Sequence, residues 1–292
     1  MYVLLVGTLD TSTPQEERNL DLVRSLYEKV LIGGDYEALD ELLTPNFIQH
    51  NPLYGEGVKG FKEFAASFFG PLSEFSITLE VAVVRNDRVL TYMTWQGRNA
   101  EGTELKAGAG DIYRVWNGKL AEHWDMLEYH EFEPFGIRRP EPACQPSAPL
   151  DRGGTPAQRA NLERLLAYLG DVTVQDQSKA HLYISEGFEQ QHPDMVEPGL
   201  EGFKKCFSGF LPLAPDLTVA ADHVVVGSRI VGAIWTSYGH NPESGGKFIL
   251  PTADVYRVED GLYTKHWGFI DYTDLIKLLG FNPADLLREA IS

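Results

Sequence analysis

The sequence predicts an α+β fold written twice in one chain, each copy a set of three N-terminal helices followed by a curved antiparallel sheet. Three observations predict it. First, the chain repeats itself: F-I-Q-H-N-P from Phe47 returns as F-E-Q-Q-H-P from Phe188, offset 141, and Gly60-Phe61-Lys62 returns as Gly202-Phe203-Lys204, offset 142. D-I-Y-R-V-W-N-G-K-L-A-E-H-W-D from Asp111 returns as D-V-Y-R-V-E-D-G-L-Y-T-K-H-W-G from Asp254, offset 143. Second, within each copy the apolar spacing changes from helical to strictly alternating. Third, at 292 residues the chain lies where one core gives way to two.

The first copy opens on helix-start chemistry: Thr13 as N-cap, Pro14 at the first helical position, Glu16 and Glu17 in the first turn. Leu20, Val23, Tyr27, Val30 and Leu31 then form one buried stripe, and Gly33-Gly34 ends it. Asp35 caps a short second helix through Leu43, which Thr44-Pro45 stops; a third spans 58–69 with Phe61, Phe64, Ala65 and Phe68 inward. Four strands follow at 75–84, 88–98, 104–116 and 119–129, with hairpin turns at Arg85-Asn86-Asp87 and Asn117-Gly118, the latter a type I′ signal. The second copy repeats the order: helices near 156–169, 176–185 and 198–210, strands near 216–226, 229–240, 247–258 and 262–272. The domains are therefore expected at 1–135 and 156–292, joined by a Pro/Gly-rich linker over 136–155. A helical tail over 272–279 and 283–290 has no equivalent in the first copy. The opening M-Y-V-L-L-V-G reads as a strand or arm, because it lacks the basic region and cleavage site of a signal peptide.

Composition narrows the function classes. The formal charge of −17 and the lack of a basic patch argue against nucleic acid and anionic membrane as partners. No stretch reaches the ~20 apolar residues of a membrane span, so the expected location is cytoplasmic. The two cysteines, Cys144 and Cys206, have no counterparts in the other copy, which makes a disulfide or zinc framework improbable.

The order of helices, Q-H-N-P, a Gly-Phe helix and four strands ending in D-I-Y-R-V-W-N-G-K-L-A-E-H-W-D resembles the SnoaL-like polyketide cyclase family. That family has the nuclear transport factor 2-like fold, shared with ketosteroid isomerase and limonene epoxide hydrolase. The resemblance covers about 15–130 closely and about 157–272 more loosely. It implies cone-shaped domains whose interior holds a small molecule, and an acid/base aspartate near the end of the last long strand, at Asp125 of His123-Trp124-Asp125.

The residues themselves add to this. An acid between Trp124 and Met126 on a core-like strand is a candidate for burial, which raises a carboxyl toward the range of a general base. Alternation puts His123 on its face, as an orienter. His50, in the Q-H-N-P loop, and Asn51 beside it are candidates for substrate and oxyanion contacts. Trp95, Phe64, Phe68 and Tyr113 are expected to line the interior. His50, His123 and Asp125 match a two-histidine, one-carboxylate set in residue type, but not in a diagnostic spacing. With metal-free chemistry implied by the resemblance, neither metal nor cofactor is expected. Asp111 with Arg98 and Asp125 would suit epoxide opening; the alternative is a structural ion pair between Asp111 and an arginine.

The second copy keeps His192 for His50 and His266 for His123, but has Pro193 for Asn51 and Gly268 for Asp125. Its expected pocket residues are His192, Tyr238, His240, Asp254 and His266, with Asp271 a further acid. The leading expectation is a cofactor-free cyclase or isomerase moving protons on a small hydrophobic polyketide or terpenoid intermediate. Epoxide hydrolysis or epoxide-opening cyclisation in the same cavity is its enzymatic rival. A non-catalytic protein binding a small hydrophobic ligand is the rival of another class. The pattern allows a homodimer or an intramolecular pseudo-dimer of the copies.

Overall fold

A computed structural model describes residues 4–140, 150–172, 177–191 and 197–283. The chain divides into two compact units, Met1–Pro146 and Ser147–Ser292. Both have a sheet of mixed direction covered by helices, an α+β build without a closed barrel.

Unit 1 begins with β1 (Leu5–Asp10), then α1 (Pro14–Ser25), whose cap is the Thr13 hydroxyl accepting from the Glu16 amide. The helix runs on as a π-helical turn, Leu26–Ile32, that buries Leu26, Tyr27, Val30, Leu31 and Ile32. After a 3₁₀ turn (Tyr36–Ala38) and the short α2 (Leu39–Leu42), the chain enters β2 (Leu43–Gln49). A second 3₁₀ turn, Pro52–Tyr54, leads to α3 (Gly57–Phe68). The meander follows: β3 (Ser73–Arg85), β4 (Arg88–Arg98), β5 (Glu104–Trp116) and β6 (Lys119–Leu127), then α4 (Tyr129–Phe132). Asn117 and Gly118 have φ of 50° and 74°, the left-handed pair that a type I′ turn requires.

The six-stranded sheet is ordered β1-β3-β4-β5-β6-β2. Four antiparallel strands form the predicted meander, and two parallel edge strands extend it: β1 beside β3 and β2 beside β6. The segment expected to be loop before Gln49 is thus a strand. Its half-buried Thr44 and exposed Pro45-Asn46 hide the pattern, and proline is tolerated because the strand lies at an edge. The wide end of the sheet is filled by Trp95, Phe68, Phe69, Phe75 and Phe132, with Trp95 5.2–6.4 Å from the other four ring centres.

Unit 2 contains α5 (Pro156–Asp171), a 3₁₀ segment (Gln177–Leu182) where a helix was expected, β7 (Ile184–Gln191) and α6 (Gly199–Phe210). β8 (Thr218–Val226), β9 (Ile230–His240), β10 (Lys247–Glu259), β11 (Leu262–Ile270) and α7 (Thr273–Leu279) complete it. Five strands run β7-β11-β10-β9-β8, so β7 repeats β2 while β1 has no counterpart among the described residues. Thr155 and Gln158 close a capping box on α5.

Register makes the repeat concrete. Asp111 sits opposite Thr91 on one side and Asp125 on the other; Asp254 sits opposite Ala233 and Gly268. The offset falls from 142 at Asn19/Asn161 to 141 at Phe47/Phe188, so unit 1 carries one extra residue between them. A π-helical turn is the form in which a helix absorbs an added residue, and α5, its counterpart, is α-helical throughout. Most of the expected tail over 283–290, and the linker over 141–149, lie outside the described residues.

Candidate active site

Strand alternation puts His123 and Asp125 on the inner face of β6, and direct cross-strand pairing puts Tyr113 beside His123 and Asp111 beside Asp125. All four are at most 4% exposed. The result is a buried polar set at the centre of a half-apolar interior.

Asp125 is gripped from the loop after β2. Asn51 Nδ2 donates to Asp125 Oδ1 at 2.8 Å and to the Tyr129 hydroxyl at 2.8 Å. The Tyr54 hydroxyl donates to Asp125 Oδ2 at 2.6 Å. Asn51 can aim its amide because its own Oδ1 accepts from the Leu53 amide, an Asx turn that Pro52 stiffens. Burial pushes the Asp125 carboxyl above its ordinary value; the His123 ring pulls it down, Asp111 pushes it up again, and the bonds from Tyr54 and Asn51 lower it. Burial wins, and the carboxyl is held above the ordinary carboxylate range, the direction that favours a base.

Asp111 is held by phenols. Tyr27, from the π-helical turn, donates to Asp111 Oδ2 at 2.8 Å and takes a 2.7 Å hydrogen bond from Thr91, while Tyr113 donates to the same oxygen at 3.1 Å. Burial first, then the Asp111 charge, keeps the hydroxyls of Tyr27 and Tyr113 well above their ordinary pKa, so they remain donors. Asp111 Oδ1 faces His123 Nε2 at 3.5 Å, and neither atom has a hydrogen-bond partner among the described residues. The other ring nitrogen of His123 meets the Gln49 amide at 2.9 Å. Tyr113 stacks on the imidazole, 4.3 Å between centres.

Several expected residues go elsewhere. His50 does not face Asp125: its ring stacks at 4.4 Å on Trp124, on the opposite face of β6, and Nε2 meets Glu122 Oε2 at 3.0 Å. One residue of strand parity separates it from Gln49, which does face inward. The His50–His123–Asp125 combination does not assemble; ligand atoms of Asp111, His123 and Asp125 instead lie within 4.8 Å of one another. Arg98 pairs with Glu104 at the exposed end of the β4–β5 hairpin, seven positions before Asp111 in the register. The Asp111–arginine pair is absent too, because Arg114 faces the other way and bonds Glu122. Epoxide chemistry that needs Arg98 has no support in this geometry. Trp95 sits opposite Ala107, four positions before Asp111, in the aromatic end of the interior rather than at the polar set.

In unit 2 the expected five do not assemble. His192 lies outside the described residues. Tyr238 is 40% exposed, and His240 bonds Asp216 on the surface at 2.6 Å. Asp254 and His266 do meet: Oδ1 to Nε2 is 2.8 Å, with Gln190 at 2.9 Å from the other ring nitrogen. Tyr256 stacks on His266 at 4.6 Å and its hydroxyl meets Asp254 Oδ2 at 3.4 Å, with the Tyr168 hydroxyl 3.4 Å behind it. Asp271 accepts from the amide and hydroxyl of Thr273, the first residue of α7.

The sequence reading missed Tyr27, Gln49, Tyr54, Thr91 and Tyr129. A signal existed for two: Tyr27 and Gln49 return as Tyr168 and Gln190, at one offset of 141.

The family model for SnoaL-like polyketide cyclases matches residues 21–133 and again 163–279. Among solved structures, a proposed polyketide cyclase from Bacillus cereus ATCC 10987 is similar at 22% identity over 47% of this chain and 95% of its own, with a TM-score of 0.41. TsrD from Streptomyces laurentii is similar at 23% identity over 42% of this chain and 96% of its own, TM-score 0.36. IdmH, a proposed polyketide cyclase from Streptomyces antibioticus, is similar at 23% identity over 41% of this chain and 99% of its own, TM-score 0.34. No curated protein sequence matches the chain. Among the described residues, no helix is long and apolar enough to cross a membrane.

Proposed function

Because the chain belongs to the SnoaL-like polyketide cyclase family, we propose that unit 1 cyclises or isomerises a small hydrophobic polyketide or terpenoid carbonyl compound by proton transfer at Asp125. The observation that carries this reading is Asp125 itself, 4% exposed, with its carboxyl raised by burial and both oxygens held by neutral donors. A carboxylate in that state is strong enough to take a proton next to a carbonyl, and neutral enough on protonation to return it to an alkoxide.

Other groups hold that geometry. Gln49 and the Tyr113 ring hold His123, and Tyr27 and Tyr113 hold Asp111. The apolar surround of Phe61, Phe64 and Phe68 suits a hydrophobic skeleton and keeps water from competing for the enolate. In the step, Asp125 takes the α-proton, the C–H pair becomes the enolate, and the enolate carbon is either reprotonated at a new position or adds to a second carbonyl. The alkoxide formed by addition then takes the proton back from Asp125.

A hydrophobic ketone tests this without knowledge of the natural substrate. Loss of α-protons from 2-tetralone in D₂O, followed by NMR, should be faster with the protein than in buffer. Asp125→Asn should reduce that rate by ~10²–10⁴-fold with the fold intact. Equal rates for the protein and this variant would sink the reading.

A further inference from the structure

We propose that Tyr54 is a second catalytic residue, whose hydroxyl leaves Asp125 for the carbonyl oxygen of the bound substrate as Asp125 takes the α-proton. The proposal rests on Asp125 being the base.

The first support is geometric. Both oxygens of Asp125 are already occupied, one by Asn51 and one by Tyr54, in a site with almost no exposure. A substrate that brings its α-proton to Asp125 must displace one of them. Asn51 is tied twice more, to Tyr129 and to the Leu53 amide, whereas the Tyr54 hydroxyl makes a single hydrogen bond among the described residues, the one to Asp125. Tyr54 is therefore the member free to swing. Its ring stays in place during a hydroxyl turn, held by Phe64 at 4.3 Å, Phe61 at 5.6 Å and His123 at 5.7 Å. Burial and the nearby Asp125 charge hold the phenol well above its ordinary pKa, so it arrives at the substrate as a donor.

The second support is the internal repeat. Unit 2 retains the half of the network around Asp111: Tyr168 for Tyr27, Gln190 for Gln49, Asp254 for Asp111, Tyr256 for Tyr113 and His266 for His123. It has lost Asn51, Tyr54 and Asp125 together, to Pro193, Val196 and Gly268. Tyrosine at 54 goes with the acid, while the tyrosines that serve Asp111 stay. A Tyr54 that served only packing would not be expected to depart with Asp125.

In the step the bonds balance as follows. Asp125 gains the α-proton and no longer needs a donor on Oδ2. The carbonyl π pair moves onto oxygen as the enolate forms, and Tyr54 O–H donates to that oxygen. When the proton returns from Asp125, the phenol returns to the carboxylate.

Tyr54→Phe keeps every ring contact and removes only the hydroxyl. In the 2-tetralone exchange assay it should lower kcat by ~10²-fold, the scale of one lost oxyanion donor, with KM little changed. The acid limb of its pH profile should move to higher pH, because a bond favouring the charged carboxylate is gone. Wild-type rate in Tyr54→Phe beside a dead Asp125→Asn would overturn the proposal and leave the base standing. An active Asp125→Asn would remove the base and the proposal with it. A second measurement needs no turnover. Asp125→Asn imitates the protonated acid and releases the phenol, so it should bind 2-naphthol, as its oxyanion, at least ~10-fold more tightly than the Asp125→Asn, Tyr54→Phe pair. Equal affinity, or no binding by either, would overturn the proposal whatever the exchange assay gives.

Discussion

The polar set of unit 1 and that of unit 2 start from the same five residue types and end in different states. In unit 1, Asp111 and His123 stand 3.5 Å apart with Asp125 beside them; in unit 2, Asp254 and His266 close to 2.8 Å. Position 268 explains the difference. A Cβ on Gly268 would lie 2.1 Å from Asp254 Oδ1 and 2.7 Å from His266 Nε2. The room that the acid's own side chain uses in unit 1 is taken by the carboxylate of its neighbour in unit 2. The Tyr–Asp–Tyr–His–Gln network is thus a scaffold that either unit can build. The Asn51–Tyr54–Asp125 group is what unit 1 has and unit 2 lacks.

The largest effect expected is on rate. Asp125→Asn should lower exchange ~10²–10⁴-fold, while Asp254→Asn should leave the activity of unit 1 unchanged; a matching loss there would erase the distinction between the units. Asp125 should also carry a pH signature. Its folded pKa lies above the ordinary 3.8, so the folded state holds that proton more tightly than the unfolded one, and stability falls as pH rises from 3.8 through the raised value. Melting of the wild type relative to Asp125→Asn should therefore worsen from acid to neutral pH. A gap that stays constant would place Asp125 in water.

Next come the histidines. His266→Ala leaves Asp254 buried with one 3.4 Å phenol contact and should cost about 3–5 kcal/mol. His123→Ala leaves Asp111 with Tyr27 and Tyr113 and should cost about 1–3 kcal/mol. Denaturant melts of both would decide it, and the reverse order would show that the closed pair contributes little. Gly268→Asp should destabilise unit 2 by about 1–3 kcal/mol through overpacking, with part of the loss recovered by adding Asp254→Ala. The smallest effect is at Arg98. Its exposed pair with Glu104 predicts that Arg98→Ala shifts stability by under ~1 kcal/mol and leaves the exchange rate unchanged.

The sequence made the repeat and the meander readable because both are recorded in spacing: fixed offsets, alternating strands, Asn117-Gly118, Thr13-Pro14. β2 and β7 were not readable. A short strand at a parallel edge contributes few buried positions, and here Pro45 and the exposed residues beside it give it the look of a loop. That error carried into the site, since a strand through Gln49 reverses which neighbour faces inward and sends His50 out. Asp125 was readable from its apolar neighbours. Tyr27 was not, because a tyrosine in a buried stripe counts as apolar and its hydroxyl has no mark in the pattern; Tyr54 was not, because it lies in a short turn with no periodicity to place it.

The parallel pairing of β2 with β6 has a consequence for how this protein is made. Asn51 must wait for Asp125, 74 residues later in the chain. At ~5–20 residues per second, roughly 4–15 s of synthesis separates them. During that interval α3 and its phenylalanines have emerged, but the strand that completes the sheet has not. The Asn51–Tyr54–Asp125 group is therefore assembled by the closing strand of the domain. Any slowing of that last docking delays this group before it affects the bulk of the fold.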